Sequence, residues 1–388
     1  MQSKRLGELP PYLFVEIDRN KEALIRGGRE VLDLGIGDPD LGACPRLRDS
    51  LRTAIDNIEY DRYPSDRGLP VLIEAIRSWA KREHDTKLES DEILITIGSK
   101  EAIAHLPLAV ADPGDIVLVP DPGYPVYNSS ALFAGALPHT MPLLSSNGFW
   151  PDLDTIEKGI LRRARMAYFN YPNNPTSATA SEEMFADALE LCNKNGIIMV
   201  NDAAYSEIIY DSPWSALFPG AKRSGASYIE FFSFSKTFSI TGWRVGFAVG
   251  SSDVISALAR LKTNIDSGVF SAVQEAVASV LNDHFEEVRS EVVARYRERR
   301  DLLASSLDKA GFVYNTPEAT FYFWVPVPVG GGSSIDFCGH LMEKTGIVAT
   351  PGVGFGRNGE GYFRLSVTSP TETIREAGKR IIDFTNKS

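Results

Sequence analysis

The sequence predicts an α/β fold: a largely parallel sheet with helices on both faces, followed by a smaller α+β unit. Three observations predict it. Continuous apolar runs rich in β-branched residues alternate with helical patterns, which is how strands buried on both faces read. The pattern changes near residue 282, where a long amphipathic stretch begins. The 388 residues exceed what one small core organises, so a large unit and a smaller one are expected.

In chain order, "EILITIG" (92–98) reads as a strand and runs into the helical "SKEAIAHLPLAV". "DIVLVPDPG" (115–123) precedes "YPVYNSSALFAG", and "MAYFNYP" (166–172) precedes a helix opening at Ser181. In "SEEMFADALELCNKNG" the serine caps, the acids face the positive end of the helix and the glycine stops it. "IIMVNDAAY" (197–205), "YIEFFSFSK" and "VGFAVG" are further strands. "FEEVRSEVVARYRERRDLLASSLDKAG" (285–311) is one long helix. Val288, Val292, Tyr296, Leu303 and Leu307 recur at helical spacing, and Gly311 ends it. "FVYNTPEATFYFWVPV", a surface loop at "VGGGSS" (329–334), a short helix and "GYFRLSV" make up the smaller unit. The expected boundaries are 1–45 for an N-terminal segment joining the small domain, 46–283 for the large domain and 284–388 for the small one.

The net charge of −11 offers no basic footprint for nucleic acid and disfavours anionic membranes. No apolar run reaches the roughly 18 residues of a membrane span. "MQSKRLGELPPYLFVEIDRN" has no apolar stretch of the kind a secretory signal carries. Cys44, Cys192 and Cys338 are odd in number and far apart. They fit neither a disulfide framework nor a zinc site, so free thiols in a reducing cytoplasm and no metal are expected.

"SFSKTF" (233–238) places Lys236 at the end of an apolar strand. A lysine there is ordinarily a snorkelling surface residue. Desolvated, it becomes a neutral amine and a nucleophile. Its company favours the second reading. Ser233 and Arg244 flank it in sequence, and a hydroxyl with a guanidinium suits a phosphate. Asp202 ends another strand in "VNDAAY", with Tyr205 shortly after. It is either a helix cap or the partner of a protonated pyridine nitrogen, which pyridoxal phosphate needs to act as an electron sink. Asn174 in "NYPNNPT" (170–176) follows a third strand, although Asn-Pro alone also marks an ordinary turn. Ser99 and Lys100 in "GSKEA" (98–102) open a helix, where free N–H groups and the dipole hold anions. All of these lie at the carboxyl ends of strands, where open α/β sheets place ligands. His105 and His139 lie in apolar contexts and read as structural.

In these residues the chain resembles the class I/II aminotransferases, the fold-type-I pyridoxal-phosphate enzymes. "LGIGDPD", "YPSDRG", "GSKEA", "DPGYPVY", "NYPNNPT", "NDAAYS", "SFSKTFSITGWRVGF" and "FRLS" occur in the family's order and span essentially the whole chain. The resemblance implies a mostly parallel seven-stranded sheet, pyridoxal 5'-phosphate as cofactor, and a homodimer with shared active sites. It also implies roles. Lys236 would be the Schiff-base lysine, and Asp202 would pair with the pyridine nitrogen. Asn174 and Tyr205 would hydrogen-bond the phenolic oxygen of the cofactor. Ser99, Lys100, Ser233 and Arg244 would hold its phosphate, and Tyr124 would stack on its ring. Tyr63 would reach the phosphate of the neighbouring subunit. Arg364 would fork onto the substrate α-carboxylate, with Gly37 and Asn174 also on the substrate side. By their residue types alone, Tyr124 also reads as a core aromatic and Arg364 as a structural ion pair.

"LPPYLFVEID", "DLGIGDPDLG", "GSKEAIAHLPLA", "KTNIDSGVF" and "TPGVGFGRNGEGYFRLS" look most like LL-diaminopimelate aminotransferases. Aspartate, alanine and N-succinyl-diaminopimelate aminotransferases share much of this pattern. Tyr12, in "PPYLF", resembles the tyrosine that closes over substrate. The distal ammonium of LL-diaminopimelate needs an acid, and plant-like members supply a glutamate shortly after the tyrosine matching Tyr63. Here Asp66 stands in that place, with Arg67 beside it. Asp66 would meet the ammonium and Arg67 a carboxylate; as solvated loop charges, neither would. An arginine there suits glutamate or aspartate equally. The expected reaction moves an amino group between glutamate and 2-oxoglutarate on one side and an amino/keto acid pair, LL-diaminopimelate in lysine biosynthesis, on the other. A C–S lyase would keep the same cofactor. A transcriptional regulator with an aminotransferase-like sensor would need a basic DNA-binding module, which this acidic chain does not show.

Overall fold

The computed structural model describes residues 3–9, 19, 21–22, 24–210 and 214–386. In chain order its strands are β1 (Leu32–Asp33), β2 (Ile93–Thr96), β3 (Ile116–Asp121), β4 (Leu137–Pro142), β5 (Ala164–Phe169), β6 (Ile198–Asp202), β7 (Tyr228–Ser233), β8 (Gly246–Gly250), β9 (Tyr322–Pro326), β10 (Ile347–Val348), β11 (Thr350–Pro351) and β12 (Tyr362–Ser366).

The expected mostly parallel seven-stranded sheet is present, in the order β2-β8-β7-β6-β5-β3-β4. Every pairing in it is parallel except the two made by β8. Strands β2, β3, β6, β7 and β8 are buried at every residue, because helices cover both faces. Successive side chains on β7 serve opposite faces: Phe232 packs with Trp79, Phe218 and Phe247, while Phe231 packs with Tyr127, Tyr168 and Leu258. The helix Glu182–Asn195 starts and stops as its sequence reads. Ser181 accepts from the Met184 N–H, and Gly196 turns left-handed at φ 66°.

The long helix is Phe285–Lys309 and buries the five expected apolar positions. It also buries Arg299 and Arg300. Each arginine is compensated. Arg299 grips Asp40 with two bonds of 2.6 and 2.9 Å, and Arg300 donates to Asp301 at 2.8 Å and to the Pro317 carbonyl at 3.2 Å. Strands β11, β12 and β9 form an antiparallel sheet, and β1 pairs with β10 in parallel. Leu32, Leu34, Leu303, Phe323 and Leu365 share one core beside these strands. Two details differ from the sequence reading. "VGGGSS" is not loop throughout, because Ser333 caps and Ser334 opens the helix Ser334–Thr345. A C-terminal helix, Thr371–Thr385, had not been anticipated; it packs along the long helix.

Cys44 is half-buried and Cys192 and Cys338 are buried, all three as free thiols. Among the described residues, no helix is long and apolar enough to cross a membrane.

Candidate active site

Strands that run in parallel end along one edge of their sheet. Ser99, Tyr124, Asn174, Asp202 and Ser233 lie at or just past the ends of β2, β3, β5, β6 and β7, so the fold gathers them there. Strand β8 runs the opposite way. Its beginning therefore lies at the same edge and brings in Arg244. With Arg364 of β12 and Gly35–Asp38 after β1, these residues line a cavity of about 420 Å³.

Strand β7 stops at Ser233, and Lys236 stands in the short helix Phe234–Thr237 rather than at the strand end itself. Its Nζ donates to the Gly37 carbonyl at 2.9 Å and lies 5.6 Å from the Phe321 ring centroid. Burial brings its pKa down to about 8, against the opposing carboxylate of Asp38. Asp202 is buried, and Tyr127 donates to its Oδ2 at 2.8 Å. Burial pushes its pKa up to about 6 even so. No helix follows Asp202 for it to cap. Asn170 donates to the Asp202 carbonyl at 2.6 Å and accepts from the Asn174 N–H at 2.9 Å, tying two strand ends together.

In the same lining, Ser99 and Lys100 occupy the first turn of the helix Gly98–Val110. Arg244 has a left-handed backbone at φ 56°, a costly conformation for a non-glycine residue, and its Nη1 donates to the Thr241 carbonyl at 2.7 Å. Gly98 lies beside it with a left-handed backbone at φ 67°, which favours glycine. A Cβ there would stand 2.6 Å from Arg244 Nη2. The Lys100 ammonium lies 5.9 Å from the centroid of the Tyr124 ring.

Arg364 is 4% exposed, and among the described residues it makes no salt bridge. Its guanidinium lies 4.1 Å from the Tyr322 centroid and 4.6 Å from that of Phe355. Its Nη atoms donate to Asn174 Oδ1 at 2.8 Å and to the Gly35 carbonyl at 2.7 Å. Tyr205 shares a hydroxyl–hydroxyl contact of 3.0 Å with Tyr322.

The fold does not bring every named residue here. Tyr63 is 93% exposed and Asp66 is half-buried, and neither lines this chain's cavity. Arg67 donates to the Asp91 carbonyl at 3.4 Å. Tyr12 lies outside the described residues. Conversely, Tyr127, Ser235, Tyr322 and Asp38 line the cavity without having been singled out. Tyr127, Ser235 and Asp38 stand inside "DPGYPVY", "SFSK" and "LGIGDPD", so the motifs contained their signal. Tyr322 had none beyond an aromatic strand.

His105 is not in an apolar setting. Its Nδ1 donates to Glu101 Oε1 at 2.8 Å, and Asp266 lies 4.0 Å away. These three residues gather as a cation site would. The fully buried ammonium of Lys262 already bonds Asp266 and lies 3.5 Å from Glu101, so the protein supplies its own cation there. His139 is half-buried on β4.

The cavity suits pyridoxal phosphate in its donor set. A buried carboxylate at one side asks for a positive partner, which a protonated pyridine nitrogen provides. Hydroxyls, a helix N-terminus and two cations in the same lining suit a phosphate. Among the described residues, Ser235 Oγ and Arg364 Nε, both on this lining, are buried without a hydrogen-bond partner.

Comparisons with known proteins agree. The class I and II aminotransferase family model matches residues 29–381. The LL-diaminopimelate aminotransferase of Aquifex aeolicus is 46% identical over 98% of each chain. That of Desulforudis audaxviator is 45% identical, over 98% of this chain and 97% of its own. The substrate-bound structure of BacF from Bacillus subtilis has a TM-score of 0.93 at 32% identity and covers 99% of this chain and 98% of that one. A family match of this extent, with relatives this similar along nearly their whole length, makes the chain a member of the class I and II aminotransferases and its activity pyridoxal-phosphate-dependent transamination.

Proposed function

We propose that this aminotransferase exchanges an amino group between glutamate or 2-oxoglutarate and LL-diaminopimelate or its keto acid, in lysine biosynthesis. The observation that carries the reading is the near-complete match to relatives bearing that activity in their names. The buried, aromatic-stacked Arg364 supports an amino acid as substrate, since its fork is shaped for a carboxylate.

Pyridoxal phosphate, when bound, supplies the electron sink that allows an amino acid to lose its α-proton. The side chains do the rest. Lys236, held toward its neutral form by burial, attaches the cofactor and then carries the proton at the substrate α-carbon. Asp202 stays ionised once a positive ring nitrogen faces it, because an opposite charge offsets its desolvation. Ser99, Lys100, Ser233 and Arg244 would hold the phosphate, and Tyr124 would lie against the ring. Asn174 and Tyr205 would meet its phenolic oxygen. Gly37 and Arg364 would bound the substrate side.

The chain acts as a homodimer in this reading, in the cytoplasm, where its three free thiols persist. Ile58 and Tyr63 are 74% and 93% exposed, and Phe270 is exposed as well. A Cβ on Gly268 would lie 2.1 Å from the Ser65 carbonyl, so the loops around 65 and 268 form one surface. That apolar surface supports an interface through which the partner subunit's Tyr63 and the partner subunit's Asp66 reach the cavity.

The test is a half-reaction screen. Loss of the visible band of the cofactor-loaded protein is followed with LL-diaminopimelate, glutamate, aspartate and alanine. Fast loss with the first two is expected. Silence toward LL-diaminopimelate would overturn the substrate and point to an aspartate-, alanine- or N-succinyl-diaminopimelate-type enzyme. Asp66→Asn should lower kcat/KM for LL-diaminopimelate by about 10- to 100-fold, as for a charged group left unpaired. Its effect on glutamate should be much smaller.

A further inference from the structure

Tyr322 touches more of the site than any role given so far requires. It begins β9, is 3% exposed and lines the cavity. Its ring is one of the two faces between which Arg364 lies, at 4.1 Å. Its hydroxyl meets the Tyr205 hydroxyl at 3.0 Å. It also presses on the backbone whose carbonyl receives Lys236, since a Cβ on Gly37 would stand 1.9 Å from the Tyr322 hydroxyl oxygen.

The residue is itself held from several directions. Its N–H donates to Thr320 Oγ1 at 3.0 Å, and its carbonyl accepts from Ser177 Oγ at 2.8 Å. Ser177 Oγ and Thr320 Oγ1 are 2.7 Å apart, so the start of β9 is fastened to the turn that carries Asn174. Side chains fixed in this way can orient their neighbours at little entropic cost.

We propose that Tyr322 is a positioning residue with two separable effects. Its ring keeps the Arg364 guanidinium in the plane a substrate carboxylate meets. Its hydroxyl donates to the Tyr205 oxygen, which leaves the Tyr205 proton to point into the cavity toward the phenolic oxygen of the cofactor. A pair of hydroxyls shares one proton between them, so the direction of that bond decides where the other points. This rests on the aminotransferase reading above.

The experiment compares Tyr322→Phe with Tyr322→Leu. Two readouts are taken on cofactor-loaded protein, neither of them activity. One is the pH titration of the visible cofactor band. The other is the dissociation constant of succinate, a dicarboxylate with no amino group to react. Tyr322→Phe keeps the ring. It should leave succinate binding within about twofold while raising the titration midpoint by about 0.4 to 1 pH unit, as loss of one neutral hydrogen bond would. Tyr322→Leu removes the ring as well and should weaken succinate by about 5- to 30-fold, the range of a desolvated cation–π contact. An unshifted titration in Tyr322→Phe overturns the hydroxyl effect. Unchanged succinate binding in Tyr322→Leu overturns the ring effect. Tyr322→Met repeats that arm if the leucine variant melts early. An unmodified protein that forms no visible band with pyridoxal phosphate would instead overturn the aminotransferase reading beneath both.

Discussion

Arg364→Lys is the substitution whose cost the geometry sets most directly. The change keeps the positive charge and removes the planar fork and the stacking surface. The guanidinium lies between Tyr322 and Phe355 at 4.1 and 4.6 Å, with Asn174 and Gly35 fixing its rotation. A lysine can give a carboxylate one charge-assisted hydrogen bond where the arginine gives two, a loss of about 1.5 to 3 kcal/mol. Weakened stacking on two desolvated rings adds about 1 kcal/mol. The sum is about 2.5 to 4 kcal/mol, or about 70- to 900-fold in kcat/KM at 1.36 kcal/mol per decade. Most of it should appear in KM, because the carboxylate is gripped before and during the chemistry. The assay is stopped-flow loss of the visible band across a concentration series of glutamate and of LL-diaminopimelate. A KM within about threefold of the unmodified value, or a loss confined to kcat, would refute the assignment of Arg364 to the substrate carboxylate.

Three further outcomes are expected. Lys236→Ala should retain no cofactor covalently: after borohydride treatment and denaturation, mass spectrometry should find the cofactor on the unmodified chain and not on the variant. Capture of pyridoxal phosphate by the cofactor-free protein should accelerate with pH, about tenfold per unit, and level off above about 8, because only the neutral amine attacks and burial holds the Lys236 pKa near that value; a rate still climbing toward pH 10 would contradict it. Mixing inactive Lys236→Ala with an inactive Tyr63 variant should restore part of the activity through hybrid dimers, whereas a fully active monomer at assay concentration would contradict shared sites.

Much of the cavity lining was legible because it is local. Asp202 ends an apolar strand, Lys236, Ser99 and Asn174 each follow one within a few residues, and in a parallel sheet such positions converge whatever the loops do. Helix ends written in short-range chemistry, such as Ser181 and Gly196, were equally readable. The antiparallel course of β8 was not, because an apolar run of five residues carries no direction. That reversal is what places Arg244 beside Gly98 and the helix N-terminus. The long helix read as a plain apolar stripe, although Arg299 and Arg300 lie within it. Their partners Asp40 and Pro317 are far away or in a loop, out of reach of any periodicity.

By itself, then, the order of motifs along the chain determined the α/β class, the cofactor chemistry and many of the residues that line the cavity. Their environment was decided only by the tertiary structure. Desolvation of Lys236 and Asp202 depends on what covers them from distant parts of the chain, including the Gly37 backbone and the Tyr127 hydroxyl. The sandwich around Arg364 needs β12, β9 and the Phe355 turn to meet. The histidine expected among apolar neighbours became part of an ion network because Lys262 and Asp266, more than 150 residues away, fold against its helix. Residue type fixes what a side chain can do; burial and partners, which are properties of contacts between remote segments, fix its charge state and its direction.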